Sequence, residues 1–573
     1  MRWEYASFDA ASARRLSQRL GISQPCAALL AQRGWSTPEQ AETFLKPHLR
    51  RLGDPFAVTH LEAAVKRVRE AMRKDEEILV FGDYDVDGVT ATTLLVSILS
   101  RFGPQPRYAV PLRQEEGYGL SRAALERVLE VCKPDLLIAV DCGTSSRREV
   151  AWLAEQGVDV IIIDHHTGKE ALPEEAILVN PHVYDAPEAP WRELCAVGLA
   201  FKFVHGLVKA MRLDGDPIAQ EIDLRDYLDL VALGTIADLV PLRGENRILA
   251  RNGLTALKHP KRLGLQALFE VAGMALGAPV EPFDISFRLG PRINASGRLD
   301  DAQAPIEMLL GSDFSACRRT AQELDGFNQE RQRIEAAITE EAIQQVEETM
   351  PDTPGILVYG PGWHTGVVGI VASRLMQRFH RPALVLGDDS DGEAKGSGRS
   401  IPGVNLVEVL QDCRQHLTKW GGHPMAVGVS TRREAIDALR TDFNAALSAH
   451  LNGSVPDKTL AVDLELGAED LTERLLAELE RLAPFGQANP EPVFALRGAR
   501  LDGVSTFGRT SQHLRFTLAR RNRHAPLAGI AWRAAERPPP PGVPLDLAVR
   551  FHWNLWNGRR SPRLTLVDWR EAI

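Results

Sequence analysis

Three aspartates, Asp83, Asp85 and Asp87, stand at alternate positions directly behind the apolar run ILVF at 78–81. The pattern D-x-D-x-D-G also begins a calcium-binding loop, which needs a preceding helix and a bidentate acid at position 12. Here a strand-like run precedes the aspartates and Leu94 occupies position 12, so a calcium loop is excluded. Three adjacent carboxylates repel one another unless solvent or a cation relieves the repulsion. Two alternatives therefore remain, a solvated acidic turn and a cation site.

Further acids and histidines follow later apolar runs. Asp141 closes the run at 136–141, the sequence Asp164-His165-His166 follows another run, and Asp238 follows a helix-like stretch. Carboxylates with imidazole and without thiolates suit Mn²⁺ or Mg²⁺, and the histidines favour Mn²⁺. The ligands suffice for two ions, which can activate a water and neutralise a phosphoryl group. The pattern predicts phosphoester hydrolysis, with His165 as a ligand and His166 as either a ligand or a residue that orients substrate.

The elements that must position these residues alternate along the chain. Short apolar runs are separated by helix-like stretches, and they lie at 78–82, 106–110, 136–141, 159–164 and 176–180. This alternation predicts an α/β fold with a doubly wound parallel sheet. Because ligands bind such sheets at the carboxyl ends of the strands, the acids and histidines are expected at one edge.

The remainder of the chain predicts further domains. A charged stretch without Gly or Pro from Asn328 to Thr349 predicts one long connecting helix, a second α/β pattern starts at ILVYG (356–360), and short strand-like alternations fill the C-terminal part. The predicted regions are an N-terminal appendage at 1–55, a first α/β domain at 56–302, the connecting helix at 303–350, a second α/β domain at 351–452 and an all-β barrel or sandwich at 455–573.

Composition is that of an ordinary water-soluble protein, with 44% hydrophobic and 25% charged residues among 573. No apolar run could span a bilayer and the first residues do not resemble a signal peptide, so a cytoplasmic location is expected. Six dispersed cysteines indicate neither a zinc site nor a disulfide framework.

The segment from Arg497 onward carries fourteen arginines, no lysine and five acids, a net charge of +9 within a chain of net charge −9. Interleaved tryptophans accompany these arginines, which predicts a module that binds a polyanion.

Four motifs together resemble those of the DHH phosphoesterase superfamily. They are DYDVDG at 83–88, DCG at 141–143, DHH at 164–166 and GTIAD at 234–238. The motifs RINASGRL, GSGRS and GGH narrow the resemblance to the branch that degrades single-stranded DNA from its 5′ end. Many superfamily members carry a histidine before the first aspartates, and here Asp83 would have to replace it.

The resemblance implies a site for two ions, Mn²⁺ or Mg²⁺, in a DHH domain that is followed by a DHH-associated α/β domain and an OB-type barrel. The implied metal ligands are Asp83, Asp85, Asp87, Asp141, His165 and Asp238, with His166 as a further catalytic residue. Ser397 and Arg399 match positions that hold a 5′ phosphate, and the implied contacts to the rest of the strand are Arg113, Tyr118, Arg292, Asn294, Arg298 and His423. The implied partners are single-stranded DNA, a single-strand-binding protein and a RecQ-type helicase, for a monomer that does not enter a membrane.

Two other functions compete with this interpretation. One is a phosphodiesterase of the same superfamily that acts on oligoribonucleotides or cyclic dinucleotides, although such enzymes typically lack a basic β module. The other is a catalytically inactive DNA-binding scaffold. Intact acids in all four motifs argue against a scaffold, which would have no reason to keep mutually repelling carboxylates.

Overall fold

Contacts along the chain divide the protein into two units. The computed structural model describes residues 1–573 except 113–115, 118, 169–170, 300–302, 390–391, 452–454, 521–524, 557–558 and 573, and it describes only the backbone of Arg298, Leu299 and Trp556. The first unit contains Met1–Gly290, Ile306–Cys317 and Thr459–Ile573, and the second contains Pro291–Pro305 and Arg318–Lys458.

The N-terminal segment of the first unit is one strand followed by three helices, namely β1 (Arg2–Tyr5), α1 (Ala10–Leu20), α2 (Gln24–Gln32) and α3 (Pro38–Leu45). Leu16 of α1 and Leu29 of α2 are fully buried in a hydrophobic core that also contains Leu475, Phe494 and Phe551 from the C-terminal part of the chain. The segment therefore folds together with the C-terminal part of its own unit.

A parallel sheet follows, as the alternating pattern predicts. Its elements and flanking helices are α4 (Leu61–Lys74), β2 (Ile78–Phe81), α5 (Val86–Phe102), β3 (Arg107–Ala109), α6 (Arg122–Val131), β4 (Leu136–Val140), α7 (Arg147–Glu155), β5 (Asp159–Ile163) and β6 (Ala176–Val179). The strand order is β3-β2-β4-β5-β6 and every pairing is parallel. All residues of β2 and β4 are buried, as expected for strands that helices cover on both faces. The predicted doubly wound sheet is confirmed.

A mainly helical stretch connects this sheet to the second unit. Its helices are α8 (Pro181–Tyr184), α9 (Ala196–Leu213), α10 (Pro217–Glu221), α11 (Leu228–Ala237), α12 (Gly244–Ala256), α13 (Leu263–Val271), α14 (Pro282–Asp284), α15 (Gly290–Leu299), α16 (Ala304–Leu310) and α17 (Phe314–Thr349). Helix α11 is apolar on every side and buried almost throughout, which suits a helix in a protein core. Helix α17, with 36 residues, is the predicted long helix.

The second unit contains a mixed five-stranded sheet. Its elements after α17 are β7 (Ile356–Tyr359), α18 (Val368–Phe379), β8 (Ala383–Asp388), β9 (Ala394–Arg399), α19 (Leu406–Asp412), β10 (Lys419–His423), β11 (Ala426–Thr431) and α20 (Ile436–His450). The strand order is β10-β11-β9-β8-β7, with β7 and β8 parallel and the other pairs antiparallel.

The C-terminal part of the first unit is rich in strands, as predicted. It contains β12 (Thr459–Val462), β13 (Leu464–Leu466), α21 (Glu473–Leu482), β14 (Phe494–Ala499), β15 (Leu501–Phe507), β16 (His513–Leu518), β17 (Leu527–Ala531), β18 (Leu545–Trp556) and β19 (Arg559–Glu571). Strands β13 to β19 form one sheet in the order β13-β14-β18-β19-β17-β16-β15, and β12 pairs with β1. Within the described ranges, no helix combines the length and apolar character needed to cross a membrane.

Candidate metal centre

The first motif lies where β2 passes into α5. Asp85 is the N-cap of α5, and its carboxylate accepts hydrogen bonds from the backbone N–H groups of Asp87, at 2.8 Å, and Gly88, at 3.1 Å. The helix begins at Val86, so Asp87 belongs to its first turn. A Cβ on Gly88 would lie 2.5 Å from the backbone oxygen of Asp83, so only glycine allows this close approach.

A second helix fixes the Asp87 carboxylate. Its two oxygens accept hydrogen bonds from the backbone N–H groups of Ala196, at 2.7 Å, and Val197, at 2.9 Å, in the first turn of α9. These N–H groups have no partner within their helix, and the helix dipole favours an anion at this end. Asp87 is nevertheless almost completely buried, and burial together with the charge of Asp85 raises its pKa to about 7. Asp87 is thus oriented by the fold but costly to ionise.

His165 lies at the centre of the cluster. Its Nε2 atom is 3.3 Å from Asp141 Oδ1, 3.6 Å from Asp238 Oδ2 and 3.8 Å from Asp87 Oδ2. Asp141 follows β4 with a left-handed φ of 64°, which costs strain in a non-glycine residue, and Asp238 caps the end of α11. Four separate parts of the chain therefore deliver side chains to one point. Three of them follow the strands β2, β4 and β5, as expected for the edge of the sheet, and the fourth is the end of α11.

Asp164 is a functional residue that we did not predict. Its buried carboxylate accepts a hydrogen bond from Nδ1 of His166 at 2.7 Å and from the hydroxyl of Thr144 at 2.6 Å. Burial would raise the pKa of Asp164, but these bonds and the charge of His166 lower it. Burial alone would lower the pKa of His166, but Asp164 raises it to about 9. Asp164 orients His166 and favours its protonated form. The sequence did contain a signal for the role of Asp164, namely its position in the DHH motif at the end of a strand.

The electrostatic state of the cluster is unfavourable without a cation. Burial raises the pKa of Asp238 to about 8, with the charges of Asp87 and Asp85 as further causes. Burial and the same two charges raise the pKa of Asp141 well above its ordinary value. Burial and the neighbouring His166 lower the pKa of His165 to about 4, so His165 is neutral at physiological pH. A neutral imidazole among ionisable carboxylates is a metal-binding arrangement.

The donor set fits divalent cations. In the part of the chain that the structure describes, His165 Nε2 is buried and makes no hydrogen bond. Three groups bring their ligand atoms within 4.8 Å of one another, namely Asp83 with Asp85 and Asp141, Asp87 with His165 and Asp238, and Asp141 with His165 and His166. The cluster thus contains all seven residues predicted as catalytic, and its oxygen and nitrogen donors suit Mn²⁺ or Mg²⁺.

In the second unit, the pairing of β9, β11 and β10 places three residues predicted to bind substrate on one face of the sheet. Arg399, Ala426 and His423 form one row across β9, β11 and β10, and Ser397 belongs to the neighbouring row of the same face. A Cβ on Gly369, in the first turn of α18, would lie 3.3 Å from both the Arg399 guanidinium and the Ser397 hydroxyl. A guanidinium, a hydroxyl and a helix N-terminus therefore meet at one place, a combination that suits a phosphate.

The structure describes only some of the other residues that are predicted to contact the DNA strand. Arg292 pairs with Asp325 at 2.9 Å within the second unit, and Asn294 has a buried Oδ1 atom without a hydrogen bond among the described residues. Arg298 lies in α15, but its side chain is outside the described set. Arg113 and Tyr118 also lie outside the described residues.

Family models match three separate regions of the chain. The N-terminal domain of the DHH family matches residues 77–235, the DHHA1 domain matches 352–449, and the RecJ OB domain matches 462–568. The predicted C-terminal OB-type fold is thereby confirmed. The predicted domain boundaries remain predictions.

Known proteins resemble the chain over nearly its whole length. The single-stranded-DNA-specific exonuclease RecJ of Bacillus subtilis is 37% identical over 569 residues, which cover 99% of this chain and 70% of the relative. The crystal structure of RecJ from Thermus thermophilus with Mn²⁺ matches with a TM-score of 0.83 at 29% identity, covering 100% of this chain and 80% of that one. The same protein with Mg²⁺ gives a TM-score of 0.77 at 28% identity, with coverage of 100% and 79%.

The raised carboxylate pKa values predict how pH and Mn²⁺ act on stability. Unfolded aspartate has a pKa of about 4, so the cluster destabilises the metal-free fold increasingly as pH rises from about 4 to the pKa of Asp238, about 8. Mn²⁺ relieves this repulsion, so its addition should raise the melting temperature by at least about 3 °C more at about pH 8.5 than at about pH 6. Thermal unfolding in chelator and in Mn²⁺ measures both effects.

The Asp141→Asn variant is the matched control for this prediction, because it removes one buried charge and keeps the shape of the side chain. Without metal at about pH 8.5, it should melt at a higher temperature than the parent, and Mn²⁺ should stabilise it less. If Mn²⁺ raised the melting temperature equally at both pH values, or equally in parent and variant, the electrostatic interpretation would be contradicted.

Proposed function

The chain belongs to the RecJ family of single-stranded-DNA-specific exonucleases, and we propose how its own residues perform the reaction. It is a metal-dependent exonuclease of single-stranded DNA that uses Mn²⁺ or Mg²⁺. We propose that it proceeds from 5′ to 3′, releases 5′-mononucleotides and acts in DNA repair and recombination. The observation that carries the site assignment is the buried cluster of carboxylates around His165.

We propose that the ligands divide between two positions. Asp83, Asp85 and Asp141 would hold one ion, and Asp87, His165 and Asp238 would hold the other. Asp141 Oδ1 lies 3.3 Å from His165 Nε2, so the two groups of ligands adjoin each other at Asp141. When bound, the ions would supply a hydroxide at neutral pH and would neutralise charge on the phosphoryl group.

His166 is proposed to act on the substrate directly. Asp164 accepts a hydrogen bond from its Nδ1, which fixes the orientation of the ring, and the side chain is about half exposed. Its Nδ1 lies 3.9 Å from Asp141 Oδ1, which places the ring beside the metal ligands. A charged imidazole at this place can donate a hydrogen bond to a phosphoryl oxygen and stabilise developing negative charge.

The 5′ end of the strand is proposed to bind in the second unit. Arg399 is largely buried, and burial lowers its pKa. Its guanidinium donates to the carbonyl of Gly398 and lies beside the Ser397 hydroxyl at the start of α18. Arg113, Tyr118, Arg292, Asn294, Arg298 and His423 are proposed to contact the rest of the strand. The pairing of Arg292 with Asp325 means that a phosphate would compete with a carboxylate there.

Partners and location are part of the proposal. We propose a cytoplasmic monomer that cooperates with a single-strand-binding protein and a RecQ-type helicase, of which the helicase would supply single strands. Support comes from the family, and the six free cysteines suit a reducing compartment. The domains are proposed as an N-terminal appendage at 1–55, the DHH domain at 56–302, the connecting helix at 303–350, the DHH-associated domain at 351–452 and the OB domain at 455–573.

The proposed catalytic role is tested with labelled substrates. In Mn²⁺, 5′-labelled single-stranded DNA should yield labelled mononucleotide, whereas duplex DNA and short RNA should not, and chelator should abolish the reaction.

Asp141→Asn should reduce kcat/KM by about 1,000-fold or more, because metal ions provide several kcal/mol of transition-state stabilisation. Asp502→Asn, an exposed acid of the C-terminal sheet, is the control and should retain full activity. Equal activity of Asp141→Asn and the parent would refute the assignment.

The proposed 5′-phosphate site is tested by comparing strands with a 5′ phosphate and a 5′ hydroxyl. Arg399→Gln should reduce kcat/KM about 10- to 100-fold for the phosphorylated strand and much less for the hydroxyl strand, since hydrogen bonds to charged groups contribute about 1.5 to 3 kcal/mol. Lys395→Gln is the matched control, because Lys395 is an exposed cation on the same strand, β9. An equal loss on both substrates would show that Arg399 has another role.

A further inference from the structure

The residue that follows Asp238 in the metal cluster combines two unusual features. Asp238 caps the end of α11, and Leu239 comes next with a left-handed φ of 59°. Helices commonly end on a left-handed residue, but it is usually glycine or asparagine, because a Cβ makes this conformation costly. Leu239 is also 65% exposed, although it is a large apolar residue. Neither the backbone conformation nor the hydrophobic core therefore favours leucine at this position.

Packing against the helix does not explain this leucine. Where a helix ends in a left-handed residue, an apolar side chain beyond the end often packs back onto the last turns. Leu239 leaves most of its surface in solvent, and the buried apolar residue of this segment is instead Leu242, which is 2% exposed. Residues that are unfavourable for local structure are expected where function requires them.

The segment that carries Leu239 is fixed on both sides. Helix α11, which precedes it, is buried almost throughout. On the other side, the backbone N–H of Leu242 donates to the carbonyl of Gln487 at 2.9 Å. The Nε of Arg243 donates to the carbonyl of Ala488 at 3.2 Å. Leu239 is therefore held in a defined place, which reduces the entropy lost when it contacts a ligand.

The metal cluster is open to solvent on the side of Asp238. The side chains of Asp87 and Asp141 are only 1% and 3% exposed. Those of Asp238 and His166 are 23% and 46% exposed. A phosphate therefore reaches the cluster from the side that Asp238 and His166 form. Because Leu239 adjoins Asp238 in the chain, an exposed apolar residue lies next to this opening.

The chemistry of the substrate indicates what an apolar group at this place contacts. The groups linked through oxygen to a scissile phosphate are the sugars of the two flanking nucleotides, whereas each base lies one ring further away. A deoxyribose offers C–H groups to a leucine side chain, but a ribose would place its 2′-hydroxyl there. A hydroxyl that loses water without gaining a hydrogen bond is costly.

We propose that Leu239 contacts a sugar that flanks the scissile phosphate and thereby selects deoxyribose over ribose. The inference rests on the proposed function and assigns the expected discrimination against RNA to one residue. A leucine side chain binds neither a metal ion nor a proton, so this role is separate from that of Asp238.

The test compares kcat/KM for a single strand of DNA with kcat/KM for the same strand carrying one ribonucleotide at its first or its second position, using the full chain in Mn²⁺. The parent should prefer the all-deoxyribose strand at one position or both. Leu239→Gly and Leu239→Asn suit the left-handed backbone and remove the apolar side chain. Each should reduce this preference about 5- to 50-fold, the discrimination expected of one apolar contact. Leu239→Met should recover most of the loss, because it keeps an unbranched apolar side chain.

Stability and metal binding separate this role from a structural one. Leu239→Gly should melt at the temperature of the parent or above, because glycine relieves the cost of the left-handed conformation. Mn²⁺ should raise the melting temperature of the Leu239 variants as much as that of the parent. Leu213→Ala removes an exposed leucine at the end of α9 opposite to Asp87, and it should leave both the preference and kcat/KM unchanged.

Three outcomes would overturn the proposal. The parent could cleave DNA without any preference at either position, or the variants could lose activity equally on all strands. Mn²⁺ could also stabilise the variants less than the parent, which would show that Leu239 acts by positioning Asp238. Failure of the parent to hydrolyse any of the strands would instead reject the proposed function.

Discussion

Repulsion among buried carboxylates is the constraint on which this structure depends. Asp83, Asp87 and Asp141 are each almost completely buried, and Asp85 and Asp238 lie beside them. Burial of ionised carboxylates is strongly unfavourable unless opposite charge or hydrogen bonds compensate. The protein offers two kinds of compensation. The N-termini of α5 and α9 donate backbone hydrogen bonds to Asp85 and Asp87, and the remaining carboxylate oxygens converge where divalent cations fit.

The scaffold holds these groups together by close packing and by buried polar contacts. A Cβ on Gly234 of α11 would approach Asp87 Oδ1 to 2.7 Å, so this helix packs directly against the carboxylate of Asp87. Helix α9 is anchored by Lys202, whose ammonium is fully buried and pairs with Glu245 of α12 at 3.0 Å. Breaking such a pair leaves an uncompensated buried charge, which costs about 3 to 5 kcal/mol. The rigidity of α9 in turn fixes the carboxylate of Asp87.

Much of this arrangement could be predicted because it depends on local pattern. Five apolar runs correspond to five parallel strands, and the acids and histidines at their carboxyl ends lead to the proposed metal ligands. The role of Asp85 as the N-cap of α5 was not predicted, because the pattern of apolar residues does not show where the helix begins. The bond from Asp164 to His166 and the pairing of Arg292 with Asp325 depend on side-chain orientation and tertiary contacts. For the same reason, the sequence could not distinguish Trp532, which is exposed, from Trp553 and Trp569, which pack against the core.

Anomalous X-ray diffraction from crystals of the full chain grown with Mn²⁺ would locate the ions directly. We expect two anomalous peaks about 3.5 to 4 Å apart, one in contact with Asp83, Asp85 and Asp141 and the other with Asp87, His165 and Asp238. Absence of manganese from this cluster at saturating Mn²⁺, or carboxylates that point away from a common pocket, would contradict the proposed metal centre.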